Sequence, residues 1–291
     1  MSSVDLFQND VPIQWCPGCP NFGILTAVKK ALAGLGLKPQ DVCLVSGIGQ
    51  AAKLPHYLRC HYFNGLHGRA IPVATGIHAA NPHLTTLVTT GEGDCYGEGG
   101  NHLLHAFRRN PHITLIIHNN EIYALTKGQG SPTTPAGEIR SLHLQGVEAS
   151  PINMLAVAVA HGCPYVARGF ALDPEALSGL IMEAVRWPGL ALIEVIQPCI
   201  TWGRHPLDWY RERVRQIPGT HDPTDQKAAL SLLLEDENRF MVGCFYKNDT
   251  RTPFGARFRQ RFGDRPLAGE DFPDMERTLE ILRTFRPTPR T

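Results

Sequence analysis

An α/β fold on a largely parallel sheet is predicted by three features of the 291-residue chain. Segments of strand character alternate with segments of helical period. The strand segments are continuous apolar runs, as expected of strands covered on both faces. Two of the first three such runs end in glycine turns, which in a parallel sheet lie at the ligand-binding edge.

The elements follow in order. Residues 24–37 carry Ile24, Val28, Leu32 and Leu35 at helical spacing, and Gly34 and Gly36 close the pattern. Residues 42–46 read as a buried strand opening into Gly47-Ile48-Gly49. Residues 69–80 predict a helix with Pro72 in its first turn. Residues 84–90 form a β-branched strand ending in Gly91-Glu92-Gly93-Asp94, and 97–110 read as helical. A third strand over 113–118 leads to Asn119-Asn120. Helices over 151–161 and 174–186 alternate with strands over 164–170 and 190–196, and one more helix spans 226–235. The remainder is rich in Arg and Pro and reads as an extended tail with a short helix near 275–284.

Composition narrows the class. Hydrophobic residues make up 43%, enough for a packed core and too many for a disordered chain. The 28 basic and 27 acidic side chains leave a net charge of +1, which offers no general phosphate-neutralising excess, so no nucleic-acid partner is expected. The C-terminal arginines are mixed with acids and lack interleaved aromatic platforms, and they read as a solvated or subunit-facing tail. No apolar run is long enough to span a membrane, and no basic-then-apolar leader is present, so a soluble cytoplasmic protein is expected. Eight cysteines in such a compartment point to metal ligands and buried thiols rather than disulfides. The histidines form no HExxH arrangement and read as surface or satisfied core residues, His67 excepted.

Four constellations carry chemistry. Cys16-Pro-Gly-Cys19 points two sulfurs to one side of a tight turn. The pair could grip a metal or cluster, act as a redox dithiol opening a helix, or be incidental. No second CxxC completes a zinc site, and dispersed cysteines suit an iron–sulfur cluster held by distant loops. Gly91-Glu92-Gly93-Asp94 and Asn120, 28 positions beyond Glu92, place a carboxylate and an amide oxygen on neighbouring strand ends, a donor set for a hard cation beside phosphate. The glycine-rich segment from Tyr123 to Thr133 brings Lys127, which either binds an anionic substrate or is merely solvated. Gly65-Leu-His67-Gly-Arg69 sets a His and an Arg before a helix.

These strings (WCPGCPNFGIL, SGIGQAAK, GLHGRAIPVATG, GEGDCYGEGGNH, HNNEIYALTKGQGSPTT and QPCITW) resemble, in order over residues 12–205, the β subunit of 2-oxoacid:ferredoxin oxidoreductases. The two-subunit type acting on 2-oxoglutarate is the nearer match. The resemblance implies a thiamine diphosphate-binding fold, with residues 1–205 as the thiamine diphosphate- and [4Fe–4S]-binding domain and 206–291 as a C-terminal extension that contacts another subunit. It implies oxidative decarboxylation of a 2-oxoacid to acyl-CoA and CO2, with coenzyme A as co-substrate and electrons leaving through a [4Fe–4S] cluster to ferredoxin. Gly47, Ile48, Gly49, His67, Gly93, Asp94, Asn120 and Thr126 are implied at the cofactor. Mg2+ would take Asn120, the Ile122 carbonyl, and either Glu92, which stands where the family has aspartate, or Asp94. Lys53, Leu125 and Lys127 would hold the substrate, with Lys53 pairing a distal carboxylate.

Cys16, Cys19 and Cys199 match three cluster ligands. The family's remaining ligand lies in a Gly-Ile-Gly-Cys turn, where this chain has Gln50. Cys60 is the expected replacement, and Cys43, Cys95, Cys163 and Cys244 are expected core thiols. The glutamate facing the aminopyrimidine belongs to an α subunit, so an (αβ)2 assembly is expected. A non-oxidative thiamine-dependent decarboxylase or synthase subunit, or an electron-transfer module without catalysis, are the alternatives.

Overall fold

A computed structural model describes residues 4–236, 240–263 and the isolated positions Pro266, Glu276, Leu279, Glu280 and Arg283. Its centre is an eight-stranded sheet flanked by helices on both faces. The strands are β1 (Val42–Ser46), β2 (His61–Asn64), β3 (Thr85–Gly91), β4 (Thr114–Asn119), β7 (Tyr165–Phe170), β8 (Ala191–Ile196), β9 (Arg215–Gln216) and β10 (Met241–Lys247). Two further strands, β5 (Ile122–Tyr123) and β6 (Gln129–Gly130), form a separate antiparallel ribbon. The sheet order is β2-β1-β3-β4-β8-β7-β10-β9. Pairings from β2 through β7 are parallel, and β10 joins β7 antiparallel.

Successive residues of these strands serve two cores. Val42, Leu44, Leu87, Ile116 and Ile193 pack beneath α1 (Asn21–Gly34) and α5 (Pro174–Arg186). Cys43, Val45, Val88, Leu115 and Leu192 pack beneath α2 (Ala70–Ala80), α3 (Gly100–Arg109), α4 (Met154–Ala160) and α7 (Gln226–Glu235). Two-sided burial is why the strands lack polar alternation. The remaining helices are α6 (Leu207–Arg211) and α8 (Ala256–Phe262). Among the described residues, no helix is long and apolar enough to cross a membrane.

The helix boundaries follow local chemistry. After α1, Gly36 takes φ +70°, and the amides of Gly36 and Leu37 donate to the carbonyls of Ala33 and Leu32 at 3.0 and 3.1 Å, which closes the helix C-terminus. Asp173 caps α5 by accepting from the Ala176 amide at 3.1 Å, with Pro174 as first helical residue. Asp225 does the same for α7 through the amides of Lys227 and Ala228.

Three regions depart from the sequence pattern. The helix expected over 97–110 is preceded by a wide turn over Gly93–Glu98, closed by the Gly99 amide on the Asp94 carbonyl at 2.8 Å. Its cause is the engagement of the Asp94 side chain described below. β2 is exposed along its length and has no periodicity of its own; pairing with β1 makes it a strand. The segment expected to run out as a tail returns as β10, whose register shifts between Cys244 and Tyr246, so it shows no clean period. The helix expected near 275–284 lies outside the described residues apart from Glu276, Leu279, Glu280 and Arg283, which are helical.

Arg168 on β7 ties this end of the sheet together. Its Nε donates to Glu194 at 3.0 Å and its Nη1 to Asp236 at 2.8 Å; all three residues are buried. Tyr96 donates to the other Glu194 oxygen at 2.9 Å, and Asp236 also accepts from the amides of Phe240 and Met241. Removing the guanidinium strands two buried carboxylates, so Arg168→Met is expected to cost about 3–5 kcal/mol. Urea denaturation measures it, and a loss below about 1 kcal/mol would mean the carboxylates find other partners.

Candidate functional site

The parallel strands end at one edge, and the sheet order reverses on either side of β1 and β3, where α/β sheets open a crevice. Four chain segments meet there: Gly47–Gln50 after β1, Gly91–Asp94 at the end of β3, Asn119-Asn120 at the end of β4, and Gln197–Cys199 after β8. Ile48, Gly49, Glu92, Gly93, Asp94, Asn120, Ile122, Leu125 and Thr126, all singled out from the sequence, line one cavity of about 80 Å³. Gln50, His118 and Gln197 line it too.

Asp94 holds this edge together. Its Oδ1 accepts from the Gly68 amide at 2.6 Å, and its Oδ2 accepts from the Ile48 amide at 3.1 Å and from the Thr90 hydroxyl. One buried carboxylate therefore fixes the β1 turn and the Gly65–Arg69 loop. A Cβ at Gly47 would fall 1.7 Å from Asp94 Oδ2, which is why glycine stands there. Gly68, at φ +63°, would drive a Cβ to 2.5 Å from the Glu98 carbonyl carbon.

The neighbouring Glu92 is differently placed. It is buried, and its Oε1 has no hydrogen-bond partner among the described residues. Burial pushes its carboxyl up to about 7, offset by the Ser131 hydroxyl and the amides of Glu92, Gly93 and Asn120. Asn120 Oδ1 accepts from the Ile122 amide at 3.1 Å, and its Nδ2 donates to Gln197 Oε1 at 3.2 Å. The buried His118 shares a hydrogen bond with Asn21 Oδ1 through Nδ1 at 2.9 Å, while its Nε2 has no partner among the described residues. Burial lowers its pKa to about 3, so the ring is neutral. Three orphaned polar atoms, Glu92 Oε1, His118 Nε2 and Gln50 Oε1, thus belong to residues lining one cavity. Buried groups without partners mark a place built for a polar ligand.

Three of the four cysteines expected as ligands converge beside this cavity. Cys16 Sγ lies 3.5 Å from the Thr201 hydroxyl, and Gln197 Nε2 lies 3.8 Å from Cys19 Sγ, so both contact residues flanking Cys199. The Trp202 amide donates to Cys199 Sγ at 3.3 Å. Burial pushes the Cys19 thiol up to about 11; the Asn21 amide opposes this, and Cys199 and Cys16 add to it. Cys60 stands apart. It precedes β2 at the amino edge of the sheet, its thiol pushed up to about 12 by burial and by nearby Cys43. Among the described residues no three His, Cys, Asp or Glu side chains are close enough to hold a single metal ion.

Lys53, Lys127 and His67 do not line the cavity. Lys53 is half-buried in the turn that follows Gln50, its amide donating to the Gln50 carbonyl at 3.3 Å. His67 is exposed on the loop held by Asp94, and Lys127 is exposed at φ +76°. A Cβ at Gly128 would meet the Trp202 indole at 3.2 Å, so the turn carrying Lys127 rests on the loop carrying Cys199. Gln197 and His118 stand in the QPCITW and HNNEIYALTKGQGSPTT strings, yet neither is a candidate from the sequence, because the partners that give them a place in the site lie far along the chain.

Comparison with known proteins places this geometry. Residues 45–195 match the family of thiamine pyrophosphate enzymes, C-terminal TPP binding domain. Residues 199–261 match the family formed by the C-terminal part of the pyruvate ferredoxin oxidoreductase β chain. The chain is 41% identical to the 2-oxoacid:ferredoxin oxidoreductase β subunit of Saccharolobus solfataricus, over 94% of this chain and 97% of the relative. It is 38% identical to the 2-oxoglutarate oxidoreductase subunit KorB of Mycobacterium tuberculosis, over 71% of this chain and 55% of the relative. Its fold matches a 2-oxoglutarate:ferredoxin oxidoreductase from Magnetococcus marinus, solved with 2-oxoglutarate, coenzyme A and succinyl-CoA bound, at a TM-score of 0.88 and 34% identity over 99% of this chain and 97% of that one. The fold and the carboxyl-edge crevice are those of a thiamine pyrophosphate-binding domain. More narrowly, the chain belongs to the β subunits of the 2-oxoacid:ferredoxin oxidoreductase family. As a β subunit it implies an α partner.

The contact between Gly47 and Asp94 is testable. Gly47→Ala should destabilise the chain by about 1–3 kcal/mol. Asp94→Ala, which opens the space, should rescue part of that loss, with a coupling of about 0.5–3 kcal/mol in a double-mutant cycle of denaturation midpoints. Additive losses would show that the two residues do not compete for space.

Proposed function

We propose that this β chain, with its α partner, carries out oxidative decarboxylation of a 2-oxoacid, 2-oxoglutarate in preference, to acyl-CoA and CO2. Electrons leave through an iron–sulfur cluster to ferredoxin, in an (αβ)2 assembly in which residues 206–291 take part in the interfaces. The observation that carries this reading is Gln197. Its oxygen accepts from Asn120 at the cavity and its nitrogen reaches Cys19 Sγ, so one side chain joins the cofactor cradle to the three thiols. A non-oxidative thiamine enzyme has no use for that connection.

The residues present fit the implied cofactor and cation. Gly49, Gly91 and Gly93 line the cavity, and so do Glu92 and His118, whose Oε1 and Nε2 have no partner among the described residues. Magnesium would be held by Glu92, Asn120 and the Ile122 carbonyl, a set of hard oxygen donors. Glu92 takes this role rather than Asp94, since Asp94 is committed to Gly68, Ile48 and Thr90 while Glu92 Oε1 is free of partners among the described residues. When bound, thiamine diphosphate supplies the carbanion that adds to the 2-oxo carbon and the electron sink for loss of CO2. The chain's own contributions are positional. The turn held by Asp94 sets Ile48 and Gly49 in the cavity lining, which the neutral His118, its Nε2 without a partner among the described residues, shares. Thr126 and Leu125 form the rim, and Lys127 and His67 offer positive or polar groups outside it. Lys53, which has no ion-pair partner among the described residues, is available to a distal carboxylate.

The test uses the αβ complex purified without oxygen. Viologen reduction that requires both 2-oxoglutarate and coenzyme A is expected; CO2 release without viologen reduction would overturn the oxidoreductase assignment. Lys53→Ile should raise KM for 2-oxoglutarate about 10-fold or more, the worth of a charged hydrogen bond, with little change for pyruvate. Equal effects on both substrates would remove Lys53 from specificity.

A further inference from the structure

The geometry points to Gln50, not Cys60, as the residue that closes the three-thiol site, so the cluster held there has one iron without a thiolate. This rests on the cluster reading of Cys16, Cys19 and Cys199 given above. Cys16 and Cys19 reach the residues on either side of Cys199, and three thiols brought together from separate loops suit an iron–sulfur cluster.

Gln50 is on the correct side of the sheet. It follows β1 at the carboxyl edge, as Cys199 follows β8. Its carbonyl accepts from Trp15 Nε1 at 2.9 Å, which ties it to the residue next to Cys16. It shares a cavity wall with Gln197, whose amide reaches Cys19. Its own Oε1 is buried with no hydrogen-bond partner among the described residues, the state of an acceptor whose partner comes from elsewhere.

Cys60 fails on position. In the parallel register Cys43 faces His61 and Ser46 faces Asn64, so Cys60 sits at the opposite end of β1. At about 3.3 Å per residue it lies about 13 Å from the carboxyl edge measured along the strand. Tyr57 and Leu58, which precede it, are packed in the core.

A neutral amide oxygen binds iron far more weakly than a thiolate, so the iron beside Gln50 should be exchangeable. Ferricyanide would then convert [4Fe–4S]2+ to [3Fe–4S]+, releasing one Fe2+ and passing one electron to ferricyanide. The test is performed on the anaerobically purified αβ complex, by iron and sulfide analysis and by EPR before and after ferricyanide. The wild type should lose one iron per cluster and develop the signal of an oxidised three-iron cluster. Q50C, which supplies a fourth thiolate, should retain its iron and stay EPR-silent when oxidised, and C60S should behave as wild type. Q50D, whose charged oxygen is a firmer ligand, should lose iron more slowly than the wild type and provides the comparison if Q50C does not assemble. A wild-type cluster that keeps all its iron under the same treatment, or iron loss caused by C60S, would overturn the assignment of Gln50 while leaving the cluster in place. A complex that binds no iron or sulfide would overturn the cluster reading itself, and the role of Gln50 with it.

Discussion

Everything at the carboxyl edge of the sheet depends on one buried carboxylate. Asp94 accepts from two backbone amides that belong to distant segments, and from Thr90 on its own strand. A buried carboxylate that accepts several donors has its lone pairs satisfied and its orientation fixed. Its engagement explains the glycine at 47, the glycine at 68 and the widened turn before α3. Glu92, two positions earlier, keeps an unpartnered oxygen among the described residues.

The same edge shows how a parallel sheet assembles chemistry from remote sequence. Each parallel strand delivers its following loop to one side, so segments around residues 48, 93, 120 and 198 become neighbours. Side chains then link the loops: Asn120 to Gln197, Gln197 to Cys19, and the Trp202 indole to the Gly128 turn. These contacts join the loop that carries Cys199 to the cavity lining.

At the other side of the sheet the constraint is ionic. The Arg168 guanidinium serves Glu194 and Asp236 at once, and Asp236 in turn receives the amides that begin β10. This network brings the chain after residue 235 back onto β7, where it adds an antiparallel strand to the parallel set.

Local sequence was sufficient for much of this. Two-sided apolar runs defined the buried strands β1, β3, β4, β7 and β8, since a run such as ITLIIH has no solvated face in any register. The end of the first helix followed from Gly36, whose chemistry acts within a few residues. The glycine turns, the Asn pair and three of the cysteines were legible because each sits in a short motif. Residues defined by partners far along the chain were not legible. β2 and β10 are strands only because β1 and β7 accept them. His118 and Gln197 stand in short motifs but take their place in the site only through partners far along the chain. Which lone pairs are already spent separates Asp94 from Glu92, and the end of the strand each occupies separates Gln50 from Cys60. Residue type sets what a group can bind. Folding sets which of its bonds remain free, because a buried polar group can use only the partners that packing brings within reach.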